Sequence, residues 1–206
     1  MQTITAFFVG LTSLLSPPAL RAQEAPPTAG PSFMVVRYST AAALTFYGGY
    51  QVGKTLGFVG LVQNPRNNYR EALLGAGRTW SGGGRSILVG TAAAYASDGW
   101  YLQLYLLPTL RITRAEVSGT LEVYQPLEHA QAHQFYTTPL NAFYLLSSRA
   151  AVGVTYLISA QARRRTTQTL GPSIRVNIPS GSIRVDWQQR LAIAPSELRV
   201  TLTTAF

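Results

Sequence analysis

Three short constellations hold residue types that could do chemistry. Gly48-Gly49-Tyr50-Gln51-Val52-Gly53-Lys54-Thr55 matches the phosphate-cradling pattern G-x-x-x-x-G-K-[ST] letter for letter. In that pattern backbone amides hold phosphates and the lysine reaches the terminal ones. The surroundings oppose this reading. Asp98 sits in a turn and Asp186 in an alternating segment, so no acidic residue ends an apolar strand to hold magnesium. His129 and His133, with Glu128 beside them, have the spacing that chelates zinc or copper on a helix. They lie in a loop-like segment, Pro126–Thr138, without an evident third ligand, so no bound metal is expected. Arg163-Arg164-Arg165 is the densest charge cluster, and guanidinium forks suit phosphate. Cysteine is absent and only 8 residues are acidic, which leaves no thiolate and little acid–base chemistry. An enzyme is not expected, nor a cofactor.

The elements that must position these residues are strands. Leu198, Val200, Leu202, Thr204 and Phe206 share one face of the final run, and Glu197, Arg199, Thr201, Thr203 and Ala205 the other. A period of two marks a strand with one apolar and one polar side. The same alternation recurs. Trp100, Leu102, Leu104, Leu106, Pro108, Leu110 and Ile112 oppose Tyr101, Gln103, Tyr105, Thr109 and Arg111, with Leu107 out of phase. Ile183, Val185, Trp187, Leu191 and Ile193 oppose Arg184, Asp186, Gln188 and Arg190. Similar patterns run through residues 116–127, 152–161 and 170–178. Each is long enough to cross a bilayer as a tilted strand.

A last alternating strand that ends on an aromatic residue resembles the closing strand of bacterial outer-membrane β-barrels, whose assembly machinery reads that signal at Phe206. The resemblance is to the small porin-like barrel class and implies an all-β, up-and-down, antiparallel transmembrane barrel in the outer membrane. Met1–Ala22 reads as a cleaved signal peptide and residues 23–32 as a disordered N-terminal segment, so the barrel covers residues 33–206. The expected count is ten strands, with eight as the alternative. The first strand is placed at Phe33–Gly48, and Gly49–Asn68 and Glu128–Thr138 become long outer loops. Tight turns such as Ser81-Gly82-Gly83-Gly84, Thr113-Arg114 and Pro179-Ser180-Gly181 fall on the periplasmic side. Trp80, Trp100, Tyr69, Tyr95 and Tyr136 are expected at the membrane interfaces.

Charge fits the same picture. Charged residues make up 12% of the chain, about half the usual share of about 25%. The net charge is +9, carried by 16 arginines and the single Lys54. Most of these residues are spread singly along strands rather than forming a nucleic-acid stripe. Alternation places Arg111, Glu116, Glu122, Arg175, Arg184, Asp186, Arg190, Glu197 and Arg199 on the polar faces, hence in the lumen. The implied function is a narrow porin-like channel with an arginine-rich, anion-favouring lumen. The alternative is a closed structural or surface-interaction barrel. The implied partners are the barrel-assembly machinery and outer-membrane lipid, with Arg163, Arg164 and Arg165 contacting lipopolysaccharide. A soluble barrel with its apolar faces inward would show the same alternation.

Overall fold

The computed structural model describes residues 32–40, 43–66, 68–128, 133–162, 166–191 and 196–206. The proposed signal peptide, His129 and Arg163–Arg165 lie outside the described residues.

The chain forms thirteen strand segments: β1 (Ser32–Ser39), β2 (Leu44–Val52), β3 (Thr55–Asn64), β4 (Tyr69–Gly82), β5 (Arg85–Ala96), β6 (Gly99–Ile112), β7 (Ala115–Ser118), β8 (Leu121–Pro126), β9 (Gln134–Leu145), β10 (Ala150–Gln161), β11 (Thr167–Ile178), β12 (Gly181–Arg190) and β13 (Glu197–Ala205). Apart from β7 and β8, every strand pairs antiparallel with its sequence neighbours. β7 and β8 are two halves of one strand, because both pair with β6 and with β9. The ring closes where β1 meets β13, from Phe33↔Ala205 to Ser39↔Arg199. The result is a closed, up-and-down barrel of twelve strands.

Twelve corrects the expected ten. The two additional strands come from the N-terminal third, where one strand and an outer loop were expected. β1, β2 and β3 occupy that stretch instead. The connection after Ser39 runs Thr-Ala-Ala-Ala, which contains none of the usual turn residues. Gly48, Gly49, Gly57 and Gly60 give this stretch the composition of a loop but serve as strand residues. The phosphate-loop lookalike is the β2–β3 hairpin, with Gly53 at φ 57° in its turn. It therefore lies at the Phe206 end of the barrel, not in an outer loop. The second correction is β9, which begins at Gln134, inside the expected loop Glu128–Thr138. Its register slips by one residue against both neighbours around Pro139, which lacks the amide a ladder needs.

The walls settle which side faces inward. Leu61, Leu74, Val154, Ile174 and Leu198 are exposed on the outer surface, and Leu74 is 66% exposed. The charged faces of β11, β12 and β13 are buried inside. Trp80, Tyr95 and Trp100 are exposed near strand ends, and the Tyr95 and Trp100 rings sit 4.9 Å apart. Tyr69 does not join them: it turns inward.

Connections at the Phe206 end are short. Two residues join β2 to β3, β4 to β5, β6 to β7 and β11 to β12, and four join β9 to β10. At the far end the connection from β8 to β9 spans residues 127–133, and that from β12 to β13 spans residues 191–196.

Candidate functional site: a divided lumen

Inward side chains fill the barrel with two different chemistries on opposite walls. The first wall, from β1 through β6 and on to β8, is aromatic and aliphatic. Its buried cluster includes Phe33, Tyr47, Phe58, Leu88, Tyr101, Tyr105, Leu107 and Tyr124. Inward glycines make room for the rings. Phe33 is paired with Gly49, Tyr47 with Gly60 and Phe58 with Gly75. A Cβ on Gly60 would lie 2.2 Å from the Tyr47 ring, and one on Gly75 would lie 2.4 Å from the Phe58 ring. Each ring thus lies over a neighbouring strand's bare backbone. With β4 and β5 small at this level, the Phe58 ring meets that of Tyr105, 5.8 Å away on β6. Two carboxylates sit in this wall. Glu71 accepts hydrogen bonds from the Tyr69 hydroxyl at 2.5 Å and Gln103 Nε2 at 2.6 Å. Glu122 accepts from the Tyr124 hydroxyl at 3.4 Å.

The second wall, β11 to β13 with β1 beside it, is a hydrogen-bonded ionic network. Arg199 binds Glu197 through Nε at 2.7 Å and Nη2 at 3.0 Å, and Ser39 donates to the same carboxylate. Arg184 Nε donates to Asp186 at 3.0 Å, and Asp186 also accepts from Ser173 and Thr155. Arg175 reaches past β9 and β10 to Glu116 on β7, with contacts of 2.6 and 3.2 Å. Its path lies over the Phe143 ring, 4.8 Å from the centroid, where Ala151 and Gly153 leave space. Arg37 Nε donates to Thr201 at 2.9 Å, while its Nη atoms have no hydrogen-bond partner among the described residues.

Alternation placed most of this network in advance. Glu116, Glu122, Arg175, Arg184, Asp186, Glu197 and Arg199 are all inward and buried. Arg190 is half-buried near the far mouth. Arg111 is exposed at the Phe206 rim rather than set within the lumen, because its strand ends one residue later. His133 is exposed at the start of β9, and no metal-ligating group of three residues occurs among the described residues. Arg37 and Glu71 are buried lumen charges that the sequence reading missed. Arg37 was hidden because both faces of β1 are largely apolar, with Met34, Val36 and Tyr38 outside and Phe33 and Val35 inside.

Among the described residues the buried charges show no arginine excess. The buried charges are Arg37, Arg175, Arg184 and Arg199 against Glu71, Glu116, Glu122, Asp186 and Glu197, four to five. The chain's cationic excess lies elsewhere. The inner side chains also touch little solvent: Arg37, Tyr47, Tyr101, Tyr124, Leu107 and Gln103 are each at most 2% exposed.

No family model matches the chain, and no curated protein matches it. Solved structures do. A KdgM porin in complex with disordered oligogalacturonate superposes with a TM-score of 0.64 at 10% identity, over 85% of this chain and 99% of that one. The NanC porin gives 0.57 at 9% identity, over 85% and 98% of the two chains. The fold is that of the outer-membrane porins. At these identities the likeness shows the architecture alone. Together with the apolar outer wall, it makes the chain a membrane-spanning β-barrel of that architecture.

Proposed function

We propose that this barrel is a narrow porin-like channel of low conductance, in which lumen side chains rather than a folded-in loop set the bore. The observation that carries this reading is the continuous polar wall. It runs from Ser39, Glu197 and Arg199 near the far mouth, through Arg37, Arg184, Asp186 and Thr201, to Ser182 and Thr203 near the Phe206 end. A barrel built only for rigidity could fill both walls with apolar side chains. The resemblance to porins, one of them in complex with disordered oligogalacturonate, supports passage of small polar solutes. The balanced buried charge supports weak ion selectivity rather than the anion preference expected from composition.

A second reading, a closed barrel without transport, is favoured by the near-complete burial of the lumen residues. Planar-bilayer recording separates the two. We expect small, steady steps from the wild type. Arg37→Ala and Tyr47→Ala, which empty the two walls in turn, are expected to raise the conductance about twofold or more, in keeping with the side-chain-filled bore of small barrels. Silence from all three proteins, with folding confirmed by heat-modifiable migration on gels, would move the assignment to the closed barrel.

Placement of lipopolysaccharide at Arg163, Arg164 and Arg165 remains part of this proposal. Replacing all three by Ser is expected to lower the barrel's heat stability in lipopolysaccharide-containing membranes but not in plain phospholipid.

A further inference from the structure

Six cations outside the lumen line one end of the barrel. Lys54, Arg78, Arg85, Arg111, Arg114 and Arg149 are all exposed and lie toward the Phe206 end. They follow one another around the barrel. Arg78 pairs with Thr55, beside Lys54, and Thr79 N donates to Lys54 O at 2.8 Å. Arg85 pairs with Gly82 and Leu110, and Arg111 N donates to Gly84 O at 2.7 Å. Arg114 O and Arg149 O accept from Leu145 N and Asn177 N on the next strands. No acidic side chain interrupts the arc among the described residues. Five of the carboxylates are buried in the lumen, and Asp98 and Glu128 are exposed at the far end.

Two of these cations point at the membrane. On β4, Leu74, Ala76, Arg78 and Trp80 share the outer face, and on β5, Arg85, Ile87 and Val89 do. The Arg78 guanidinium lies 5.8 Å from the Trp80 ring centroid. An arginine on a lipid-facing wall must carry its charge to the headgroup layer along its own stem. Trp80 marks that layer, since an amphipathic ring prefers the interface. Lys54 stands at the level of Arg78, one strand away.

We propose that Lys54, Arg78 and Arg85, framed by Trp80, bind the phosphodiester headgroup of an anionic phospholipid in the leaflet at the Phe206 end. Two guanidiniums and an ammonium match a phosphate by charge and by their hydrogen-bond donors. This inference rests on the barrel spanning a bilayer and not on conduction through it.

The test is lipid enrichment around the full-length refolded protein in nanodiscs of phosphatidylcholine with a minor share of phosphatidylglycerol, read by mass spectrometry of the co-purified lipid. Enrichment of phosphatidylglycerol is expected at 50 mM salt, falling at 500 mM. Each of Lys54→Gln, Arg78→Gln and Arg85→Gln should reduce it by up to about fivefold. Arg149→Gln, at a turn on the opposite side of the arc, should leave it unchanged. Absence of wild-type enrichment, or enrichment that persists at 500 mM salt, overturns the site. An equal loss from Arg149→Gln also overturns it, since the rim would then act as a diffuse cationic surface. The wild-type salt series stands even if a variant fails to fold.

Discussion

The Arg175–Glu116 pair shows what a buried charge requires of its neighbours. The two residues are on strands separated by β9 and β10, and they meet only because Ala151 and Gly153 leave a path over Phe143. Removing one partner leaves the other buried without its counter-charge. Glu116→Gln is therefore expected to destabilise the folded barrel by about 3 kcal/mol or more, while Glu116→Leu combined with Arg175→Met costs less. Urea titration in detergent, followed by tryptophan fluorescence, checks the order of the three proteins. At this scale the sequence was legible wherever alternation was clean. Asp186 and Arg184 fall on one face of β12 by parity alone, and their hydrogen bond follows from being two residues apart. The reach of Arg175 to Glu116 was not legible, because it depends on which intervening residues are small. Glu71 was equally hidden: its strand, Tyr69–Gly82, carries Gly75 and Gly77 on the inner face, and these blur the polar period.

At the level of strands, the ring-over-glycine pairs explain the error in the strand count. A stretch holding Gly48, Gly49, Gly53, Gly57 and Gly60 has the composition of a loop. In the barrel only Gly53 needs its positive φ, while Gly49 and Gly60 are required by the rings of Phe33 and Tyr47. A local reading could not separate the two roles, since the partner ring lies on another strand. Gly60→Ala is expected to cost about 1–3 kcal/mol by forcing the Tyr47 ring off its seat. Tyr47→Ala in the same chain should relieve most of that strain, so the double variant will be more stable than the sum of the single changes predicts. The same urea titration measures the coupling. The alternation of ends along the C-terminal half is counted back from Phe206, so the two additional N-terminal strands leave it unchanged.

For the molecule as a whole, composition indicated a charge excess but not its address. The net charge of +9 suggested a cationic lumen, yet the buried charges nearly cancel and six exposed cations form the arc at the Phe206 rim. Long-range position is the reason: whether an arginine lies at mid-barrel or at a rim depends on the register of the hairpins, as the one-residue margin between Arg111 and the end of β6 shows. The difference in connection length between the two ends has a practical side. The two-residue links allow no added chain without unravelling their hairpins. The link between β8 and β9 is already seven residues long. A foreign epitope spliced there should leave folding intact and emerge on the opposite face from Phe206, so antibody labelling of whole cells would both report the topology and turn this small protein into a display scaffold.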